Sequence, residues 1–157
     1  MSAKHTGKYL QQVPGVLHLA LDGWTVPTSE SYLGVVVFWH EKNKIWRTIL
    51  EFIHLTKVHT GDYLADRVHE CLEQFSITKK IMLACMDNTS NNETLVCWLK
   101  HLVPTFRGSQ AHLRCLAQII NLMAKAFMVL FSPPPKRTSK DLTRQSLDAT
   151  NQEFKQT

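Results

Sequence analysis

Two aspartates in this 157-residue chain stand where carboxylates can do metal chemistry. Asp22 closes an apolar run over residues 16–21 and is followed by Gly23-Trp24-Thr25; Asp87 closes a second run over 80–86 and is followed by Asn88-Thr89-Ser90-Asn91-Asn92. Open α/β sheets gather their ligands outside the carboxyl ends of the strands, so an acid delivered there is a candidate. Two carboxylates side by side repel unless a divalent cation sits with them. Hard oxygen donors on a partly open site suit Mg²⁺ or Mn²⁺. Two such ions can activate a water or a 3′-hydroxyl and stabilise the leaving oxygen of a phosphodiester. The simpler use of Asp-Gly and Asp-Asn is a turn, in which the side chain bonds its own backbone two residues on. Spacing alone leaves both uses open.

The elements that must position these acids follow from periodicity. Residues 1–15 are a polar lead ending in Pro14-Gly15. Leu17, Leu19 and Leu21 alternate with His18, Ala20 and Asp22, a strand over 16–22 after which Gly23 is expected to turn the backbone. The β-branched and aromatic stretch 32–40 is a second strand, Glu41-Lys42-Asn43-Lys44 a hairpin loop, and 45–55 the return strand, an antiparallel meander. Leu64, Val68, Cys71, Leu72 and Phe75 recur on one helix face, with Thr60 or Asp62 as its cap. The continuous apolar run 80–86 reads as a central parallel strand. Ser90-Asn91-Asn92-Glu93 has the form of a capping box, opening a helix that puts Leu95, Trp98, Leu99 and Leu102 on one face and stops before Pro104. A short strand over 111–115 precedes a helix expected to turn Ile119, Leu122, Met123, Ala126, Phe127 and Leu130 inward. Three prolines then open a polar tail, 132–157, expected to be disordered. The order is βββ-α-β-α-β-α. If the strands 16–22 and 80–86 are neighbours, Asp22 and Asp87 emerge at the same sheet edge.

Bulk properties narrow the class. With 44% hydrophobic residues the chain can bury a core. The formal charge of +5 fits a nucleic-acid partner without requiring one. Cys71, Cys85, Cys97 and Cys115 show no CxxC spacing and read as reduced intracellular thiols. Residues 1–12 lack the apolar core of a signal peptide, and no apolar run reaches membrane length. No glycine-rich turn follows either parallel strand, which argues against a dinucleotide-binding domain.

Four motifs stand in order: Asp22-Gly23-Trp24-Thr25, His59-Thr60-Gly61, Asp87-Asn88-Thr89-Ser90-Asn91-Asn92 and Arg114-Cys115-Leu116-Ala117-Gln118-Ile119-Ile120-Asn121-Leu122. Together they resemble the hAT family of DNA transposases, over residues 16–130. The resemblance implies a ribonuclease H-like α/β fold, here incomplete: a partial catalytic domain over 16–131. It implies that Asp22 and Asp87 are the first and second catalytic acids and ligate Mg²⁺ or Mn²⁺ for DNA strand cleavage and transfer. The implied partner is DNA, with oligomerisation through regions beyond this stretch, and the implied compartment is the nucleus. The family's third acid is a Glu on a late helix; Glu153 in the polar tail does not match it. Gln118 stands where the family carries His, and an amide neither titrates nor serves as a good transition-metal ligand. The expectation is therefore a transposase-core fragment inactive by itself.

Supporting candidates carry bland uses beside their functional ones. Trp24 can stack on a base or simply pack. Asn88, Asn91 and Asn92 can orient metal-bound waters or phosphates, or cap the helix that follows. Arg107, Arg114 and the tail cations Lys136, Arg137, Lys140 and Arg144 can hold phosphates or stay solvated. His112 and Cys115 are two ligands at most, too few for a zinc site. Two alternatives remain. One is a domesticated module that binds nucleic acid or protein without catalysis; the other is a self-sufficient nuclease in which Glu51 joins Asp22 and Asp87.

Overall fold

The alternating strands pair into one five-stranded mixed sheet of order β3-β2-β1-β4-β5. The structure, a computed structural model, describes residues 3–27, 29–87, 89 and 91–131. Its elements are α1 (Ala3–Gln12), β1 (Leu17–Thr25), β2 (Ser31–Glu41), β3 (Lys44–Leu55), α2 (Gly61–Gln74), β4 (Ile81–Met86), α3 (Asn91–Leu102), β5 (His112–Arg114) and α4 (Leu116–Val129). The first three strands form the expected antiparallel meander, and β1–β4 and β4–β5 are parallel. Lys42 and Asn43 close the β2–β3 hairpin with φ of 50° and 61°. Positive φ at both central residues is the type I′ turn whose twist suits a two-residue hairpin.

One face of the sheet carries the core. Leu17, Leu19 and Leu21 of β1 and Leu33, Val35, Val37 and Trp39 of β2 are buried with Leu64, Ala65, Val68, Cys71 and Leu72 of α2 and Leu95, Val96 and Leu99 of α3. At about 1.5–3 kcal/mol per fully buried large aliphatic side chain, this layer is the main support of the fold. The opposite face is partly open: Val36 and Phe38 are half-buried, Ile49 and Phe52 exposed.

Five expectations need correction. Residues 3–12 of the polar lead form α1, whose Leu10 is fully buried in the core. Gly7 lets α1 lie against the end of α2, since a Cβ there would stand 2.6 Å from the Phe75 carbonyl. The Lys80 ammonium donates to the carbonyls of Leu10 at 2.9 Å and Gln11 at 3.1 Å, and to that of Val13. These are acceptors that a helix end leaves unsatisfied. Only Leu10 and Val13 advertise this helix in sequence, too few for a period. Second, β1 does not turn after Asp22; it runs on to Thr25, with Asp22, Gly23 and Trp24 paired to Gly34, Leu33 and Tyr32. Third, α3 buries Asn92, Leu95, Val96 and Leu99, whereas Trp98 lies at the rim and donates from Nε1 to Asp66 Oδ1 at 3.1 Å. Fourth, β4 is not covered throughout, because Met82 is exposed. Fifth, α4 buries none of its residues: Ile119 is half-buried, and Leu122, Met123, Ala126, Phe127 and Leu130 are exposed. Periodicity names an apolar face but not what covers it. The chain divides into two compact units, the first ending at Asn121 and the second beginning at Leu122. The tail expected over 132–157 lies outside the described residues.

Candidate active site

The strand register brings the two acids to neighbouring positions. Leu19 pairs with Ala84 and Ala20 with Cys85 across the parallel β1–β4 ladder, so two residues further along each strand come Asp22 and Asp87. Asp22 is exposed and still inside β1, held opposite Gly34 of β2. Asp87 lies one residue past the end of β4 and is half-buried.

Beside them a cleft of about 190 Å³ opens between the sheet and the N-termini of α2 and α3. Trp24 and Thr25 of the first motif, His59 of the second, and Asp87, Thr89, Asn91 and Asn92 of the third all line it, over a floor that includes Leu21, Leu33 and Met86. Asp22 and Arg114 do not line it. Arg114 sits on β5 opposite Met86, exposed, and the Cys115 N–H donates to the Met86 carbonyl at 2.8 Å. Asn88 and Ser90 lie outside the described residues, so Asn88's expected role and the capping box are not placed.

Short polar contacts tie the second and third motifs together. Asn92 Nδ2 donates to both the carbonyl oxygen and Oδ1 of Asp87, each at 2.6 Å. Thr89 adds its hydroxyl at 3.0 Å and its backbone N–H at 3.4 Å, both to Asp87 Oδ1. Asn91 Nδ2 donates to the His59 carbonyl at 2.7 Å. Thr60 takes the N-cap position of α2 without a side-chain cap bond. Its side chain instead hydrogen-bonds Asp62, which with the Tyr63 and Asp62 backbone N–H groups holds that carboxyl below its ordinary range. Gly61 is where α2 meets α3: a Cβ there would come within 2.5 Å of the Asn91 carbonyl and 2.6 Å of the Leu95 nitrogen. The glycine of His59-Thr60-Gly61 thus has a packing reason, independent of any ligand.

Trp24 stands in a ring cluster that sequence inspection did not assemble. It is stacked on Tyr32 at 5.9 Å and meets Phe52 edge-on at 5.7 Å, while Tyr32 contacts the His54 ring at 5.1 Å. Gly34 makes room, since a Cβ there would stand 3.3 Å from the Trp24 ring. The signal was present in the hairpin: a two-residue turn at Lys42-Asn43 fixes the pairing, and only the bulge near Val35 and Val36 shifts it.

Glu51 fails as a third acid. It pairs with Val35, which is buried on the helix-covered face, whereas Asp22 pairs with Gly34 on the other face. Directly opposed residues share a face, so Glu51 and Asp22 point away from each other. Among the described residues no three His, Cys, Asp or Glu side chains converge as a metal site. Two carboxylates nonetheless fit a hard cation, because Mg²⁺ is usually held by one or two carboxylates with waters and substrate phosphates completing its shell.

The sheet order and the motif-lined cleft fit a ribonuclease H-like domain. The family model described as the ZBED1 RNase-like domain matches residues 20–111. The chain belongs to this family, and with it to the hAT-type transposase relatives that its motif order resembles. It is 29% identical over 123 residues to a putative AC transposase of Zea mays, covering 74% of this chain and 15% of that protein. A putative AC9 transposase of Zea mays matches to the same extent. A putative transcriptional regulator, tpeD, of Talaromyces stipitatus is 28% identical over 141 residues, 87% of this chain and 17% of that protein. The chain thus spans about a sixth of the length of these relatives. No helix among the described residues is long and apolar enough to cross a membrane.

Proposed function

We propose that this chain is the part of a hAT-type transposase core that supplies two carboxylates, Asp22 and Asp87, for a shared Mg²⁺ or Mn²⁺ ion, and that it acts on DNA in the nucleus. The supporting observation is the β1–β4 register, in which Leu19 pairs with Ala84 and Ala20 with Cys85, the latter pair two residues before each acid. A cation bound there would polarise a phosphodiester and activate its attacking oxygen. The chain's own residues do the rest. Asp87 is steadied by Asn92 and Thr89, His59 is tied to α3 through Asn91, and Trp24 offers a ring at the cleft mouth on which an unpaired base can stack. Glu51 faces away from the pair, and on this reading two acids alone leave the chain short of cleaving or transferring DNA by itself. The name of the regulator relative favours one second reading, a module that binds DNA without catalysis.

Titrating Mn²⁺ into the ¹⁵N-labelled chain separates these readings. Paramagnetic broadening centred on Asp22 and Asp87, and abolished in Asp22→Asn and Asp87→Asn, is the expected result. Broadening that ignores both substitutions would remove the acid-pair reading. DNA binding that persists in both variants and without metal would then leave the non-catalytic module.

A further inference from the structure

We propose that Asn92 is the positioning residue of this site, holding the Asp87 carboxylate so that Oδ2 is the oxygen offered to the cation; the proposal rests on the acid-pair reading above. Asn92 and Ser31 are the buried polar side chains among the described residues, and Asn92 is only 7% exposed. A buried amide keeps its place by satisfying its hydrogen bonds. Its Nδ2 spends both donors on one residue, the carbonyl oxygen and Oδ1 of Asp87, each at 2.6 Å. The opposite amide orientation would set an oxygen against two acceptors, so only this one attracts. Together with the two Thr89 contacts, three donors converge on Oδ1. Lone pairs for a cation are then on Oδ2.

The need for such a residue follows from where each acid sits. Asp22 is fixed by a strand paired on its β2 side, whereas Asp87 has left the β4 ladder and no strand sets its side-chain torsions. Asn92 lies in the first turn of α3, which Gly61 seats against α2, so a helix end supplies the rigidity that the strand no longer gives. Groups that orient metal ligands in this way commonly change metal affinity by 10–100-fold.

The test uses the full chain and two variants, Asn92→Leu and Asn92→Asp. Leucine keeps the helix and sits beside the buried Leu95 but donates nothing, and aspartate keeps the size but sets a carboxylate against a carboxylate. The first readout needs no metal: the side-chain ¹³C resonance of Asp87 shifts in both variants while that of Asp22 does not, and the thermal midpoint of Asn92→Leu stays near wild type. The second is Mn²⁺ titration by NMR, where both variants bind about 10-fold or more weakly. An unmoved Asp87 resonance overturns the proposal. So does Mn²⁺ affinity that survives in both variants yet is lost in Asp87→Asn, an outcome that leaves the acid-pair reading standing. Wild-type protein that takes up no Mn²⁺ at these aspartates brings down the acid-pair reading and this proposal with it.

Discussion

Gly61→Ala sets two opposed effects against each other, and the structure decides the sign. In an unconstrained helix, replacing glycine by alanine stabilises by about 0.5–1 kcal/mol, because the unfolded chain loses conformational freedom. Here the new Cβ would stand 2.5 Å from the Asn91 carbonyl oxygen, 2.6 Å from the Leu95 nitrogen and 2.6 Å from Thr94 Cβ. These atoms belong to helix backbone or to a Cβ fixed on it, so no flexible side-chain end can swing away. α3 must retreat from α2 by nearly an ångström. Overpacking of this kind costs about 1–3 kcal/mol, which exceeds the propensity gain. The net expectation is destabilisation by about 1–2 kcal/mol, read as a thermal midpoint lower by about 2–8 °C. Gly23→Ala is the matched control: its nearest neighbours are the Tyr32 carbonyl at 3.8 Å and the Leu33 side chain at 4.0 Å, ordinary contacts. Its midpoint should hold or rise. Melting followed by circular dichroism checks both, and amide shifts at His59 and Asn91 should move in Gly61→Ala alone. A Gly61→Ala midpoint at or above wild type would show that the helices have slack, and the steric account of this glycine would be wrong.

Two further outcomes follow from titratable groups. Burial, with a smaller contribution from Arg114, lowers the pKa of His112 below its ordinary value, against the opposing pull of Glu93. The folded state therefore binds fewer protons than the unfolded chain as pH falls below the unfolded histidine value near 6.5. The stability that neutral His112 contributes is present above that value and is lost on acidification toward the folded pKa. Chemical denaturation of wild type and His112→Phe at several pH values should show a shallower acid-side loss in the variant; equal slopes would refute it. The Cys71 thiol, pushed up to about 12 by burial with Glu51 adding to the effect, should resist alkylation at pH 8 in folded protein. Exposed Cys97 should be modified first, and mass spectrometry finding Cys71 labelled alongside it would contradict the packing of α2.

What the sequence discloses, and what it hides, follows from the range of each interaction. The meander, α2 and the parallel β4 are legible because period and turn chemistry are local: Lys42-Asn43 and the alternation of Leu17, Leu19 and Leu21 need no partner to be recognised. α1 is hidden because its stability comes from distant groups, the Lys80 ammonium on its last carbonyls and the Phe75 backbone against Gly7. The outward Trp98 is hidden for a similar reason, since Asp66 on α2 gives its indole nitrogen a partner at the rim. At the site, the residue types of Asp22, Trp24, His59, Asp87 and Asn92 were legible, but not the division of labour among them. No spacing rule says that Asn92 bonds Asp87, or that Asn91 bonds the loop at His59.

The continuation of β1 past Asp22 bears most directly on that division. Had the strand turned at Gly23, both acids would sit on loop ends and each would need its own side-chain support. Instead Asp22 is locked by pairing with Gly34, and the same extension carries Trp24 opposite Tyr32 and onto the ring cluster beside the cleft. The absence of a side chain at Gly34 then serves both ends: it faces Asp22 across the ladder and leaves room for the Trp24 ring. A side chain at position 34 would push the Trp24 ring aside while leaving the backbone pairing that fixes Asp22. Position and stacking are therefore separable at this site. The strand's length sets where the acid stands, and its small cross-strand partner sets what lies next to it.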